Sequence, residues 1–221
     1  MKKFLKKYPH TWTLFYFIIY LVWFYIIEHR INFNYHIIGN NIDKQIPFIP
    51  IFVIPYFLWF AYIGGAFTYN FFYDKKNYTK LCIFIFSGMT IFLIISTLYP
   101  NGHTLRPNYI PNDNICNKLI NYLYKIDTPT NIFPSIHVYN SIGAHLSILN
   151  SKKLKNNKII KTSSFFLMIS IICATVLIKQ HTLLDVLSAF ILAFIMIPIT
   201  YFIDWDNSFI STVTKGISKT R

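Results

Sequence analysis

Residues 181–203 read HTLLDVLSAFILAFIMIPITYFI. Asp185 is the one acidic or basic residue in the stretch, and roughly 20 apolar residues suffice for a helix to cross the ~30 Å hydrocarbon core of a bilayer. Working outward, five further charge-free runs lie upstream, at 11–27, 47–73, 81–98, 135–150 and 163–178. They lack the period-two alternation of a barrel strand, and an isolated strand leaves its backbone unsatisfied in lipid, so all six are read as helices. The predicted fold is all-α: a polytopic six-helix transmembrane bundle forming a single integral membrane domain over residues 1–221. Composition agrees, with 54% hydrophobic residues and only 13% charged ones, about half the charged share of a soluble domain.

The second run is overlong. Pro47, Pro50 and Pro55 predict an extended or kinked entry, and Gly64-Gly65 a tilt or bend further on. The first run is bulky and aromatic and is followed by Glu28-His29-Arg30 instead of a small-residue cleavage site, so it reads as a span and not a signal peptide. Basic residues favour cytoplasmic connections. With the amino terminus inside, fifteen Lys and Arg fall on the inner face, from Lys2, Lys3, Lys6 and Lys7 to Lys215, Lys219 and Arg221, against six on the outer. Both termini are therefore expected in the cytoplasm, the protein in the cytoplasmic membrane, and loop 100–134 outside. The net charge of +13 is placed in short connections, where anionic lipid headgroups are the expected partner and nucleic acid is not. Cys82, Cys116 and Cys173 form no CxxC and read as buried packing residues.

Ionisable groups near membrane spans are functional candidates by default. In the assigned topology they gather at the outer level: His103 and Arg106 after the third run, His137 at the start of the fourth, Lys179, His181 and Asp185 at the start of the sixth. The fourth and sixth runs present helix amino termini there, whose N–H groups and dipoles favour an anion. Pro134 suits a first helical turn, and Ser135 can offer a hydroxyl and a backbone N–H. His181 and Asp185 are four apart, one helical face, so the carboxylate can orient the imidazole and leave its other nitrogen as nucleophile or base. Zinc is the competing reading of two histidines and an aspartate, but the charges of Arg106 and Lys179 disfavour a cation; no metal and no cofactor is expected. His145, two turns deeper than His137, reads as a hydrogen-bonded structural histidine. Residues 113–126 form an amphipathic helix, with Ile115, Leu119, Tyr122, Leu123 and Ile126 on its apolar stripe, expected to lie flat on the membrane. Trp12, Trp23, Trp59 and Trp205 read mainly as interface anchors.

These residues resemble the type 2 phosphatidic acid phosphatase superfamily, membrane enzymes related to vanadium haloperoxidases, most strongly over 81–203. Its first motif, a lysine and six residues before Arg-Pro, is met by Arg106-Pro107, with Tyr99 in place of the lysine. Its second, Pro-Ser-x-His, is intact as Pro134-Ser135-Ile136-His137. Its third, Ser-Arg, five residues, His, three residues, Asp, keeps His181 and Asp185 but has Ala174-Thr175 for Ser-Arg. The resemblance implies that His181 attacks phosphorus, Asp185 orients it, and His137 protonates the leaving oxygen. Arg106, Ser135 and Lys179, the last as a replacement charge, are expected to bind phosphate.

The expected function is a lipid-phosphate phosphatase acting on a lipid phosphate or pyrophosphate within the membrane, its active site on the extracytoplasmic face. The alternative is a head-group phosphotransferase of the inositol phosphorylceramide synthase or sphingomyelin synthase type, placed only slightly behind. A non-catalytic membrane protein is the third reading.

Overall fold

The computed structural model describes residues 7–30, 34–203 and 205. Lys2, Lys3, Lys6, Lys215, Lys219 and Arg221, which enter the orientation argument, lie outside the described residues. Eight α-helices carry the architecture: α1 (Phe15–Glu28), α2 (Asn41–Gln45), α3 (Val53–Tyr73), α4 (Lys75–Leu98), α5 (Ile115–Ile126), α6 (Ile136–Asn150), α7 (Lys158–Leu177) and α8 (Leu183–Tyr201). A 3-10 turn, Pro9–Leu14, leads into α1, and two short strands, β1 (His36–Ile37) and β2 (Asn101–Gly102), pair in parallel.

Among the described residues, five helical stretches are long and apolar enough to cross a membrane: His10–Glu28, Pro50–Tyr73, Lys75–Leu98, Lys158–Leu177 and Leu183–Tyr201. The remaining expected span is α6, whose 15 residues extend only about 22 Å at 1.5 Å each. It is the central helix, in contact with α3, α4, α7 and α8, and the run His137 to Ala144 is buried throughout. Its small and polar residues suit that place. A Cβ on Gly143 would stand 2.7 Å from the Phe84 ring, and one on Gly88 would stand 2.0 Å from Tyr139, whose ring stacks on Phe84 at 4.4 Å. Both glycines let α4 and α6 approach more closely than any side chain would allow.

The proline-rich entry expected before α3 is a 3-10 turn, Pro50–Phe52, with Pro55 in the helix's first turn, where a missing N–H costs nothing. The helix then runs unbroken through Gly64 and Gly65. The amphipathic segment forms as α5, but its buried face differs from the predicted stripe. Cys116, Ile120 and Leu123 pack with Val53, Tyr56, Ala174 and Ile178, while Ile115, Tyr122 and Ile126 are exposed. Cys82 is also buried and Cys173 half-buried.

A cap of short connections closes the end that bears β1 and β2. Asn101 Oδ1 accepts from the Ile132 and Phe133 N–H groups, and the Asn131 N–H donates to the Asn101 carbonyl at 2.6 Å. Gly102 is required here, since a Cβ would meet the Pro129 carbonyl oxygen at 2.8 Å. Glu28, at the end of α1, accepts from Thr128 and Asn131. These bonds hold the chain that enters α6.

Candidate active site

Two helix starts meet under this cap. Ser135 is the N-cap of α6, its Oγ accepting from Val138 N–H at 3.4 Å, which places His137 in the first turn. The His137 ring lies against Tyr56 and Trp59 of α3, with both centroids 4.5 Å away. Thr182 is the N-cap of α8, so His181 stands just ahead of the helix and not on it. The turn carrying it is held by Thr175, whose carbonyl accepts from both Gln180 and His181 N–H at 2.9 Å. The two starts are joined directly by the Ser135 N–H, which donates to the Asp185 carbonyl at 3.2 Å.

His181 Nε2 lies 3.4 Å from His137 Nδ1, and His181 Nδ1 lies 3.4 Å from Asp185 Oδ2. The expected proximity of His181 and Asp185 is present, though by a different route from a shared helical face. Asp185 is the third residue of α8 and reaches back in a capping box: its Oδ2 accepts from Thr182 N–H at 2.7 Å, and its own N–H donates to Thr182 Oγ1 at 3.3 Å. His181 Nδ1 and Asp185 Oδ1 are both buried without a hydrogen-bond partner, and a small rotation would satisfy each with the other.

Arg106 sits close by but is committed to the protein. Nη1 donates to the Tyr124 carbonyl at 3.3 Å, Nη2 to the Asp127 carbonyl at 2.7 Å and to Gln180 Oε1, and the guanidinium lies 4.2 Å from the Tyr124 ring centroid. Its Nε is buried with no acceptor. Gln180 in turn donates to Asp127 Oδ2 at 3.2 Å, an oxygen that also accepts from Tyr56 OH at 2.9 Å. His103 is buried and structural: Nε2 donates to the Gln180 carbonyl at 3.1 Å, and Nδ1 accepts from Leu105 N–H at 3.0 Å.

Lys179 is bonded to backbone carbonyls. Its Nζ donates to the carbonyls of Asp43 and Ile46 at 2.7 and 2.6 Å, so its charge closes the end of α2 and does not join the histidines. The amino terminus of α8 likewise bonds to protein groups. Asp43 Oδ1 takes the Leu183 N–H at 2.7 Å and Asp185 the Thr182 N–H, so two carboxylates already occupy the place assigned to an anion. Ser135 keeps its hydroxyl proton to donate, but its N–H is spent on Asp185. His145 accords with its reading, Nδ1 lying 2.9 Å from Ser164 Oγ.

A cavity of about 70 Å³ opens beside the pair, bordered by His137, His181, Gln180, Asp127, Thr128 and Asn131. Asp127, Gln180, Tyr56 and Asp43 were not singled out in the sequence, and Trp59 was read only as an interface anchor. The one signal present was for Asp43: Asn40 and Asp43 have capping-box spacing, and that box forms.

Apolar helices long enough to cross a membrane, closed at one end over two histidines and an aspartate, define a helical membrane protein with a histidine-based site. Residues 104–209, a little under half of the chain, match the family model described as PAP2 superfamily, and this stretch holds Arg106-Pro107, Pro134 to His137 and His181 to Asp185. That superfamily comprises phosphatases and phosphotransferases. No curated protein and no solved structure matches the chain.

Proposed function

We propose that the chain is a single-domain, six-span lipid-phosphate phosphatase of the cytoplasmic membrane, with both termini inside and the histidine site on the outer face. The observation that carries the reading is the pairing of His181 with His137, one ring turned toward a carboxylate and the other against it. His181 Nε2 attacks phosphorus, the bond to the lipid oxygen breaks, and protonated His137 gives that oxygen a proton. Asp185 orients Nδ1–H and stabilises the imidazolium. Water, losing a proton to His137, then attacks the phosphohistidine and frees phosphate and His181. Nitrogens 3.4 Å apart leave no room for phosphorus between them, so substrate entry parts the rings toward the cavity. The Ile136 and His137 N–H groups in the first turn of α6, lacking intrahelical acceptors, and the Ser135 hydroxyl face the nonbridging oxygens.

Head-group transfer is the second reading, favoured by one observation: with Lys179 turned away and Arg106 held by carbonyls, the cavity has little free positive charge for a dianionic monoester. A phosphodiester asks for less. Against it, a cavity of about 70 Å³ suits water better than a second lipid alcohol as acceptor.

The test is phosphate release from a panel of lipid phosphates, with trapping of labelled enzyme by an alkaline detergent quench. Wild-type protein should release phosphate and carry an acid-labile phosphoryl label, and His181→Ala should do neither. Asp185→Asn should retain a reduced rate, and EDTA should change little. Turnover that survives His181→Ala overturns the mechanism; transfer to a lipid alcohol without monoester hydrolysis selects the second reading.

A further inference from the structure

We propose that a groove at the opposite end of the bundle from the histidines, between the lead-in to α1 and the first half of α4, binds an anionic phospholipid by its headgroup and one acyl chain. The groove has a volume of about 540 Å³, and its walls are almost wholly apolar, formed by Phe15, Tyr16, Ile19, Ile83 and Phe86. From Lys75 at its mouth to Phe86 at its depth is eleven helical residues, about 16 Å, half of the ~30 Å hydrocarbon core. It is therefore as deep as one leaflet. Trp12 and Trp205 stand at the mouth, where indole rings favour the headgroup level.

The mouth is polar in a way that names the headgroup. His10 borders the groove with its side chain only 7% exposed. Its Nε2 lies 3.1 Å from the Phe71 carbonyl, which can only accept, so the ring proton is on Nε2. Nδ1 is left buried with no partner, an acceptor that a glycerol hydroxyl of a headgroup would satisfy by donating to it. Lys75 is exposed at the same rim and has no acidic partner among the described residues. The adjacent Asp74 is taken up by the N–H groups of Asn77 and Lys152. A second copy docking its own apolar helix here would leave Lys75 and His10 unanswered, and a choline headgroup would set a cation against Lys75. An anionic phosphodiester with a glycerol headgroup answers both, its charge meeting Lys75 and a hydroxyl donating to His10, and positive charge near the membrane surface attracts such lipids.

Full-length protein in vesicles containing chain-brominated phosphatidylglycerol or chain-brominated phosphatidylcholine, at equal mole fraction, tests this by tryptophan quenching. Phosphatidylglycerol should quench at least twofold more effectively. The excess should vanish in Lys75→Glu, persist in Lys75→Arg, and be absent when Trp12 and Trp205 are both replaced by Phe. Lys75 is exposed, so these variants fold, and an unchanged melting temperature checks it; His10→Ala, which also loses the Phe71 bond, is secondary. Equal quenching by the two lipids, or an excess that survives Lys75→Glu, overturns the site. Quenching that falls as protein density in the vesicles rises assigns the groove to a second copy and likewise overturns it.

Discussion

Asp43, in the short helix α2 between α1 and α3, caps α8 across 140 residues of sequence: its carboxylate takes the Leu183 N–H at 2.7 Å, while Lys179 grips the Asp43 carbonyl at 2.7 Å. The turn bearing His181 is thus clamped from both sides by one short outer segment. Asp43→Ala removes an acceptor worth about 1 kcal/mol and frees that turn. Expected are a loss of tenfold or more in kcat with a smaller change in KM, and a melting temperature lower by a few degrees. Asp43→Asn, which keeps an acceptor oxygen, should recover most of both. Undiminished kcat in Asp43→Ala would show that His181 needs no such clamp.

Asp127 borders the cavity and opposes an anion when ionised. Burial pushes its carboxyl upward, while the Tyr56 hydroxyl and the Arg106 charge pull it back. A raised carboxyl is neutral over more of the acid range, so substrate binding should tighten as pH falls. Asp127→Asn should lower KM severalfold at neutral pH and flatten its pH dependence. An unchanged KM profile would place Asp127 outside the anion's reach.

His103 uses both ring nitrogens with one proton, and burial holds it down to about 4, with the Gln180 carbonyl opposing. Below its unfolded value of 6.5 the unfolded chain takes up a proton that the folded chain refuses. Stability should therefore fall between pH 6.5 and about 4, by roughly 3 kcal/mol at most, and level off below. Unfolding in detergent across that range should show a shallower slope in His103→Gln. Identical slopes would assign the acid sensitivity to other groups.

The orientation argument predicts opposite accessibility for two exposed lysines. In a background without the native cysteines, Lys118→Cys should react with an impermeant thiol reagent on intact cells, and Lys155→Cys only after permeabilisation. The reverse pattern would put the histidine site in the cytoplasm.

Much of this was legible in the chain because the signals are local. Charge-free run length marks a membrane helix, and the helices at 11–27, 47–73, 81–98, 163–178 and 181–203 appear close to those bounds. The 135–150 run also forms a helix, but run length says nothing of depth, and α6 is short and central because its small residues admit close neighbours. The four-residue step from His181 to Asp185 was readable too. Thr182 stands at capping-box distance from Asp185, a local signal of the helix start that the reading of His181 on the helical face passed over.

By itself the sequence determined a membrane-helical chain that carries an arginine, two histidines and an aspartate in a recognisable order, since hydropathy and spacing depend only on neighbours along the chain. Tertiary structure alone decided where the charges went. Lys179 serves carbonyls more than 130 positions away, Arg106 is spent on Tyr124, Asp127 and Gln180, and Trp59 lies against His137. A cation's partner is whichever acceptor packing brings within about 3 Å, and no periodicity in the chain encodes that.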